Sequence, residues 1–246
     1  MAENKQQNHL ENNSVLVESK ILLAQSWLTF KAQYPALLKI SLLAFIPAVI
    51  GELGGRLLEL WLPGLSNVDL AAITVVINLI LLFFGLWTTA ALIMFVSHQL
   101  PYSKELFKQS LKKFWPLFLM TLLSVLIVGL GFILLIIPGL ILLVLLHFSS
   151  YFIVLENQKP VQSLQSSREL TRGNFWPIVK ILLWLAIVNL GVMILWIAVF
   201  SALAWLLGRT DEFSQPLASL ISSWLLAPFN IIYLVRLFNN LKEIKK

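Results

Sequence analysis

Residues 114–155 read FWPLFLMTLLSVLIVGLGFILLIIPGLILLVLLHFSSYFIVL, 42 consecutive positions without Asp, Glu, Lys or Arg. A helix needs about 20 apolar residues to cross the hydrocarbon core of a bilayer, so this run is long enough for two. Pro138-Gly139 divides it into near-equal halves. Proline suits the first turn of a new helix, where its missing N–H would be unpaired anyway. The reading is a tight helical hairpin, 116–137 and 138–156. Working outward, further charge-free runs occupy 70–103, 181–208 and 213–235. They predict spans at 70–99, 177–208 and 216–241, and a segment at 36–60 brings the total to six. Lipid leaves backbone groups no partner, so only helices or closed barrels can cross, and barrel-type polar alternation is missing. The expected fold is an all-α polytopic membrane protein, a single integral domain over 1–246.

Composition agrees. Of 246 residues, 59% are hydrophobic and 12% charged, whereas soluble domains carry about 25% charged residues. A soluble domain is excluded, and so is a disordered chain. There is no cysteine and there are three scattered histidines, so no disulfide, thiolate or His-cluster chemistry is expected. The polar start, residues 1–14, lacks a basic stretch leading into a short apolar core, and no cleavable signal peptide is expected. The net charge of +6 is sorted along the chain. Sixteen of the eighteen basic residues fall in the N-terminal segment, 99–113, 156–180 and the C-terminus, against seven acidic ones. The opposite loops hold two basic and five acidic residues, so one side is +9 and the other −3. Positive loops stay cytoplasmic, which places both termini in the cytoplasm. The basic excess thus belongs to a membrane face and not to a nucleic-acid groove.

The basic segments have helical periodicity. Residues 14–34 set Leu16, Leu23, Trp27, Phe30 and Tyr34 on one face. Residues 102–115 set Phe107, Leu111 and Phe114 against lysines, and 161–176 repeat the pattern more weakly with Val161, Leu164, Leu170 and Phe175. Amphipathic helices with basic polar faces lie in the headgroup plane. Each ends in an aromatic-Pro pair, Tyr34-Pro35, Trp115-Pro116 and Trp176-Pro177. The residue before proline is pushed out of the α region, so a turn is expected at each junction. The chain therefore reads as three repeats of interfacial helix plus helical hairpin, about 14–99, 100–156 and 157–241. A polar tail (1–13) and a basic tail (242–246) flank them.

Residues 137–141 (IPGLI), 154–156 (VLE), 163–176 (SLQSSRELTRGNFW) and 231–237 (IIYLVRL) resemble the YciC-like inner-membrane proteins. The pattern is also similar to that of the membrane domain of glycerophosphodiester phosphodiesterases. The resemblance implies a six-span inner-membrane protein. It does not imply phosphodiesterase activity, because that chemistry belongs to a separate soluble domain and no stretch here is long or polar enough to be one.

Ionisable residues at membrane depth are functional candidates. Glu52, Arg56 and Glu59 are spaced i, i+4, i+7 and can pair on one face; they form either a polar cavity or a self-satisfied ion network. Gly51 and Gly55 make a GxxxG packing surface beside them. His147 sits near the middle of the fourth span, as a proton site or, the favoured reading, as a neutral side chain hydrogen-bonded to a neighbouring helix. Asn78, Asn189 and Asn230 read as interhelical hydrogen bonds. Glu156 either pairs with Arg168 or Arg172, pinning the third interfacial helix, or is simply solvated. Lys31, Lys108, Lys112, Lys113, Arg168 and Arg172 are candidate contacts to anionic lipid headgroups. No HExxH, GxSxG, Walker loop or acidic metal cluster is present, so no catalytic residue, cofactor or metal is expected. The leading functional expectation is a non-enzymatic, lipid-interacting or scaffold protein, with a membrane-protein partner or a homo-oligomer as further possibilities. The alternative is a small-substrate or lipid transporter with a polar cavity between the repeats.

Overall fold

The computed structural model describes residues 2–61, 66–206 and 214–245, and these are all-helical, without strands. The elements are α1 (Ala2–Trp61), α2 (Asn67–Val96), α3 (Lys104–Lys112), α4 (Phe114–Leu134) and α5 (Ile136–Leu145), followed by α6 (Ser149–Glu156), α7 (Pro160–Thr171), α8 (Phe175–Leu206) and α9 (Ser214–Ile244). Six segments are long and apolar enough to cross a membrane: Ile21–Gly55, Val68–Val96, Phe114–Leu134, Ile136–Glu156, Phe175–Leu206 and Ala218–Ile244. The chain is a multi-pass membrane protein by this architecture.

Proline spacing sets where helices begin. Pro116, Pro138, Pro177 and Pro216 each occupy the third position of their helix. The first helical N–H bonds then come from the residue after the proline: Leu117 to Lys113 O (3.0 Å), Gly139 to Leu135 O (3.3 Å) and Ile178 to Asn174 O (3.2 Å). The proline falls among the first-turn N–H positions that have no intrahelical acceptor, so its missing donor costs nothing. This shifts the expected turns upstream. Trp115 and Trp176 are helical, and the breaks sit at Lys113 and at 172–174, where Gly173 takes φ +102°. The hairpin likewise breaks at Leu135, in extended conformation, and not at Pro138. There α4 and α5 approach closely. A Cβ on Gly139 would lie 2.5–2.8 Å from the Phe132 ring, and one on Gly131 would lie 3.1 Å from Gly139 Cα.

The first junction has no turn. Helix α1 runs unbroken through Pro35 and Pro47, and the polar segment expected as a tail at 1–13 is continuous with it. The reason is a seam with α9. Arg236 donates to Gln25 Oε1 (2.9 Å) and Thr29 Oγ1 (2.7 Å). Phe229 meets Trp27 and Phe30 edge-on, and Phe45 stacks on Trp224. These contacts on both sides of Pro35 support a continuous helix where the proline removes an N–H. A separate amphipathic helix therefore precedes α4 and α8 but not the first span. At the other end of the chain, the expected basic tail continues α9 to Ile244.

Helix α3 turns a different face inward than expected, whereas α7 buries the expected Leu164 and Leu170 with additional residues. In α3 the buried side chains are Leu106 and Ser110, while Leu111 is exposed. In α7 the inward stripe is Ser163, Leu164, Ser167, Leu170 and Thr171, with Val161 exposed. Small hydroxyl residues let α7 pack close to the bundle. The core gathers at the end of the bundle formed by the basic segments. Phe148, Ile153, Leu106, Leu117, Ile178, Ile232, Phe238 and Leu241 are fully buried there. Phe238 of α9 meets Phe148, Tyr151 and Phe152 at ring distances of 6.2, 5.8 and 4.9 Å.

Candidate headgroup-level site

At this basic end, α6 stops at Asn157, whose φ of 57° is a left-handed cap. The last carbonyls of a helix have no intrahelical donor and carry the negative end of its dipole. Two side chains from other elements answer them. Lys113, at the α3–α4 joint, donates from Nζ to Ile153 O (3.3 Å) and to Asn157 Oδ1, and Gln99 Nε2 donates to Leu155 O (3.3 Å). Burial pushes the Lys113 ammonium below the usual lysine pKa. Around these groups lies a cavity of about 530 Å³. Its polar wall is Gln99, Gln109, Lys112, Lys113 and Asn157, and its apolar wall is Met94, Leu100, Pro116 and Val154. Gln109 is held by Glu105 Oε1 at 3.0 Å. Two cationic heads, amide donors and an apolar floor suit an anion attached to a hydrocarbon body.

Of the expected headgroup contacts, Lys112 and Lys113 come together here, though Lys113 is half-buried and already bonded to the α6 terminus. Lys108 lies one turn before Lys112 and is exposed. Lys31 is exposed with its ammonium 5.1 Å from the Trp27 ring centroid, and Arg168 and Arg172 are exposed on and after α7. None of these four lines the cavity. Glu156 does not pair with Arg168 or Arg172; it pairs with Lys242 and accepts from Gln158 Nε2 at 3.2 Å. The aromatic contact of α6 with Phe238 places the α9 residue one turn on, Lys242, beside the α6 end.

The intramembrane candidates separate. Asn189 and Asn230 exchange hydrogen bonds across α8 and α9, at 3.4 and 3.0 Å. Asn78, exposed, donates to Thr74 O of its own helix at 2.8 Å and is not interhelical. Glu52 is half-buried on α1, and the side chains of Arg56 and Glu59 lie outside the described residues. Gly51 is close-packed, since a Cβ there would be 3.0 Å from Ile77, whereas Gly55 has no such neighbour. His147 sits in a break between α5 and α6, and its Nε2 is buried without the expected hydrogen-bond partner. That break is stitched by Ser167 of α7, whose hydroxyl donates to Leu145 O (2.7 Å) and accepts from Phe148 N (3.1 Å). Among the described residues, no three His, Asp or Glu side chains converge as a metal site.

Gln99, Gln109 and Asn157 were not singled out from sequence. An Asn directly after the last residue of an apolar helix is a readable C-cap signal; the two glutamines carry none. Residues 66–241 match a family model described as a domain of unknown function (DUF7847). No curated protein and no solved structure matches, and the family match names neither the YciC-like proteins nor the phosphodiesterases.

Proposed function

This chain belongs to the DUF7847 family, and we propose that it is a non-enzymatic inner-membrane protein that engages anionic lipid headgroups at its cytoplasmic face. The observation that carries this reading is the cavity beside Lys112 and Lys113, with its amide and apolar walls. The charge sorting along the chain supports cytoplasmic termini, and the likeness of 137–177 and 231–237 to YciC-like proteins supports the inner membrane. The three-repeat organisation is part of the proposal: α3 with its hairpin and α7 with its hairpin are two copies, and α1–α2 is a third in which interfacial helix and span are fused. The protein holds phospholipids, as a scaffold or organiser, and turns over no substrate.

The test is lipid retention. Reconstituted protein is extracted from mixed phosphatidylglycerol and phosphatidylethanolamine bilayers, and bound lipid is counted by native mass spectrometry. Each basic side chain near an anionic surface contributes about 1 kcal/mol, so Lys108→Gln with Lys112→Gln lowers phosphatidylglycerol retention by about thirtyfold. Unchanged retention overturns the reading. Transport remains the second reading because the fourth span is broken at His147, as spans near transporter sites are. The cavity beside Lys112 and Lys113 is not lined by His147, Glu52, Asn189 or Asn230.

A further inference from the structure

Two further cavities flank α1 and share Leu81 in their walls. One, of about 600 Å³, lies between α1 and α2 and is lined only by apolar residues and glycine, among them Ile46, Pro47, Ile50, Ile77, Ile80 and Phe84. The other, of about 290 Å³, lies among α1, α2 and α9, and carries Ser41, Thr88, Thr89, Ser223 and Trp224. Neither set of described wall residues includes a charged side chain.

The hydroxyls of the smaller cavity are unequal. Ser41, Thr89 and Ser223 spend their protons on Leu38 O (3.0 Å), Gly85 O (2.8 Å) and Leu220 O (2.8 Å), each within its own helix. The Trp224 indole N–H is directed to Leu38 O at 3.4 Å. These three hydroxyl oxygens keep acceptor lone pairs. Thr88 is 6% exposed, and its Oγ1 has no partner. A buried, unpaired hydroxyl is costly and calls for an occupant that can bond it.

We propose that the paired cavities bind a neutral lipid alcohol, with diacylglycerol as its type: hydroxyl head among Ser41, Thr88 and Ser223, acyl chain along α1 and α2. Charge excludes the phosphate-headed alternatives, because an ion here has no counter-charge in the wall. Donor count favours an alcohol over a quinone, which can accept from Thr88 but has no proton for the other oxygens. Thr88 is the one wall hydroxyl with its proton uncommitted, and an alcohol can accept from it and also donate to the available oxygens. The apolar cavity is within the size range of ligand pockets, and the hydroxyl-lined one is at its lower edge.

The test uses the full chain in nanodiscs doped with photoactivatable diacylglycerol, a matched quinone or a matched phosphatidic acid, with crosslinks mapped by mass spectrometry. Diacylglycerol is expected to label segments 41–54, 77–92 and 220–231 at least fivefold more than either of the others. Gly85→Leu fills the smaller cavity from a position where an added Cβ meets nothing within 4 Å, and is expected to lower the labelling about fivefold. Gly191→Leu on α8, equally unobstructed, leaves it unchanged. Thr88→Val, which keeps shape and removes the hydroxyl, lowers it about threefold and keeps the test decisive should Gly85→Leu disturb folding. Equal labelling by all three lipids, labelling that survives both substitutions, or no diacylglycerol labelling (a cavity holding water alone) overturns the proposal.

Discussion

Phe238 and Ile133 are both apolar residues of spanning helices, but they live in different surroundings. Phe238, at the basic end, is 1% exposed and packs against three aromatic rings of α6 and the residue before it; Ile133, near the tip of the α4–α5 hairpin, is 80% exposed. The same contrast runs through the bundle. Residues 90–96, 148–154 and 232–238 are almost wholly buried, while the other halves of α2, α5 and α8 present their side chains outward. Inside a bilayer an outward Leu or Ile costs nothing, since acyl chains solvate it as well as another side chain does. Stability therefore comes from packing and hydrogen bonds concentrated at the basic end. The far end is free to stay open, and it holds the larger apolar cavity.

The largest effect should test that division directly. Phe238→Ala removes a ring with no route for neighbours to fill the gap, and is expected to cost about 3 kcal/mol. That is the low end for such changes, because part of the usual gain from leaving water is absent in lipid. Ile133→Ala should change stability by less than about 0.5 kcal/mol, as for surface substitutions generally. Reversible unfolding in mixed micelles measures both. Comparable losses at the two sites would break the comparison.

How far the sequence showed this in advance depends on the range of each interaction. Charge-free runs located five of the six spans, because span length is a local property; the first, expected at 36–60 across four charged residues, lies at Ile21–Gly55. Helix starts were legible to within two residues at Pro116, Pro138, Pro177 and Pro216, with the turns upstream of them because a proline tolerates any first-turn position, but not at Pro35. Tertiary partners were not legible. The continuity of α1 through Pro35 is supported by Arg236 and Phe229, some two hundred residues away. Lys113 reads as a headgroup lysine beside Lys112 until α6 places Ile153 O within its reach. Three asparagines of identical appearance divided into one pair and one solitary residue only when α8 and α9 met. At the site, the lysines were readable from charge, whereas Gln99 and Gln109 have no periodic or capping signature.

A second substitution sharpens the comparison by finding the exception at the open end. The α4–α5 tip is lipid-exposed, yet its backbones touch through Gly131 and Gly139, and a methyl at Gly139 would overlap the Phe132 ring. Gly139→Ala should therefore destabilise by about 2 kcal/mol, as overpacking does, despite lying beside residues that tolerate change. A loss under about 0.5 kcal/mol would mean that Phe132 swings aside into lipid, and that the open end has no rigid point.

The smallest effect concerns the seam between the two ends. Ser167 bridges the broken fourth span by giving its proton to Leu145 O while accepting the Phe148 N–H. Ser167→Ala leaves that buried N–H without its acceptor, and membrane hydrogen bonds of this kind are worth about 1 kcal/mol. The informative readout is amide exchange and not stability alone. If Ser167 is what holds α5 and α6 in register, protection should fall at Phe148 and Ser149 and stay unchanged at Leu92 and Leu117 in the surrounding core. A uniform fall at all four positions would make Ser167 an ordinary packing residue, and would put the stability of the break in the aromatic cluster around Phe238 instead.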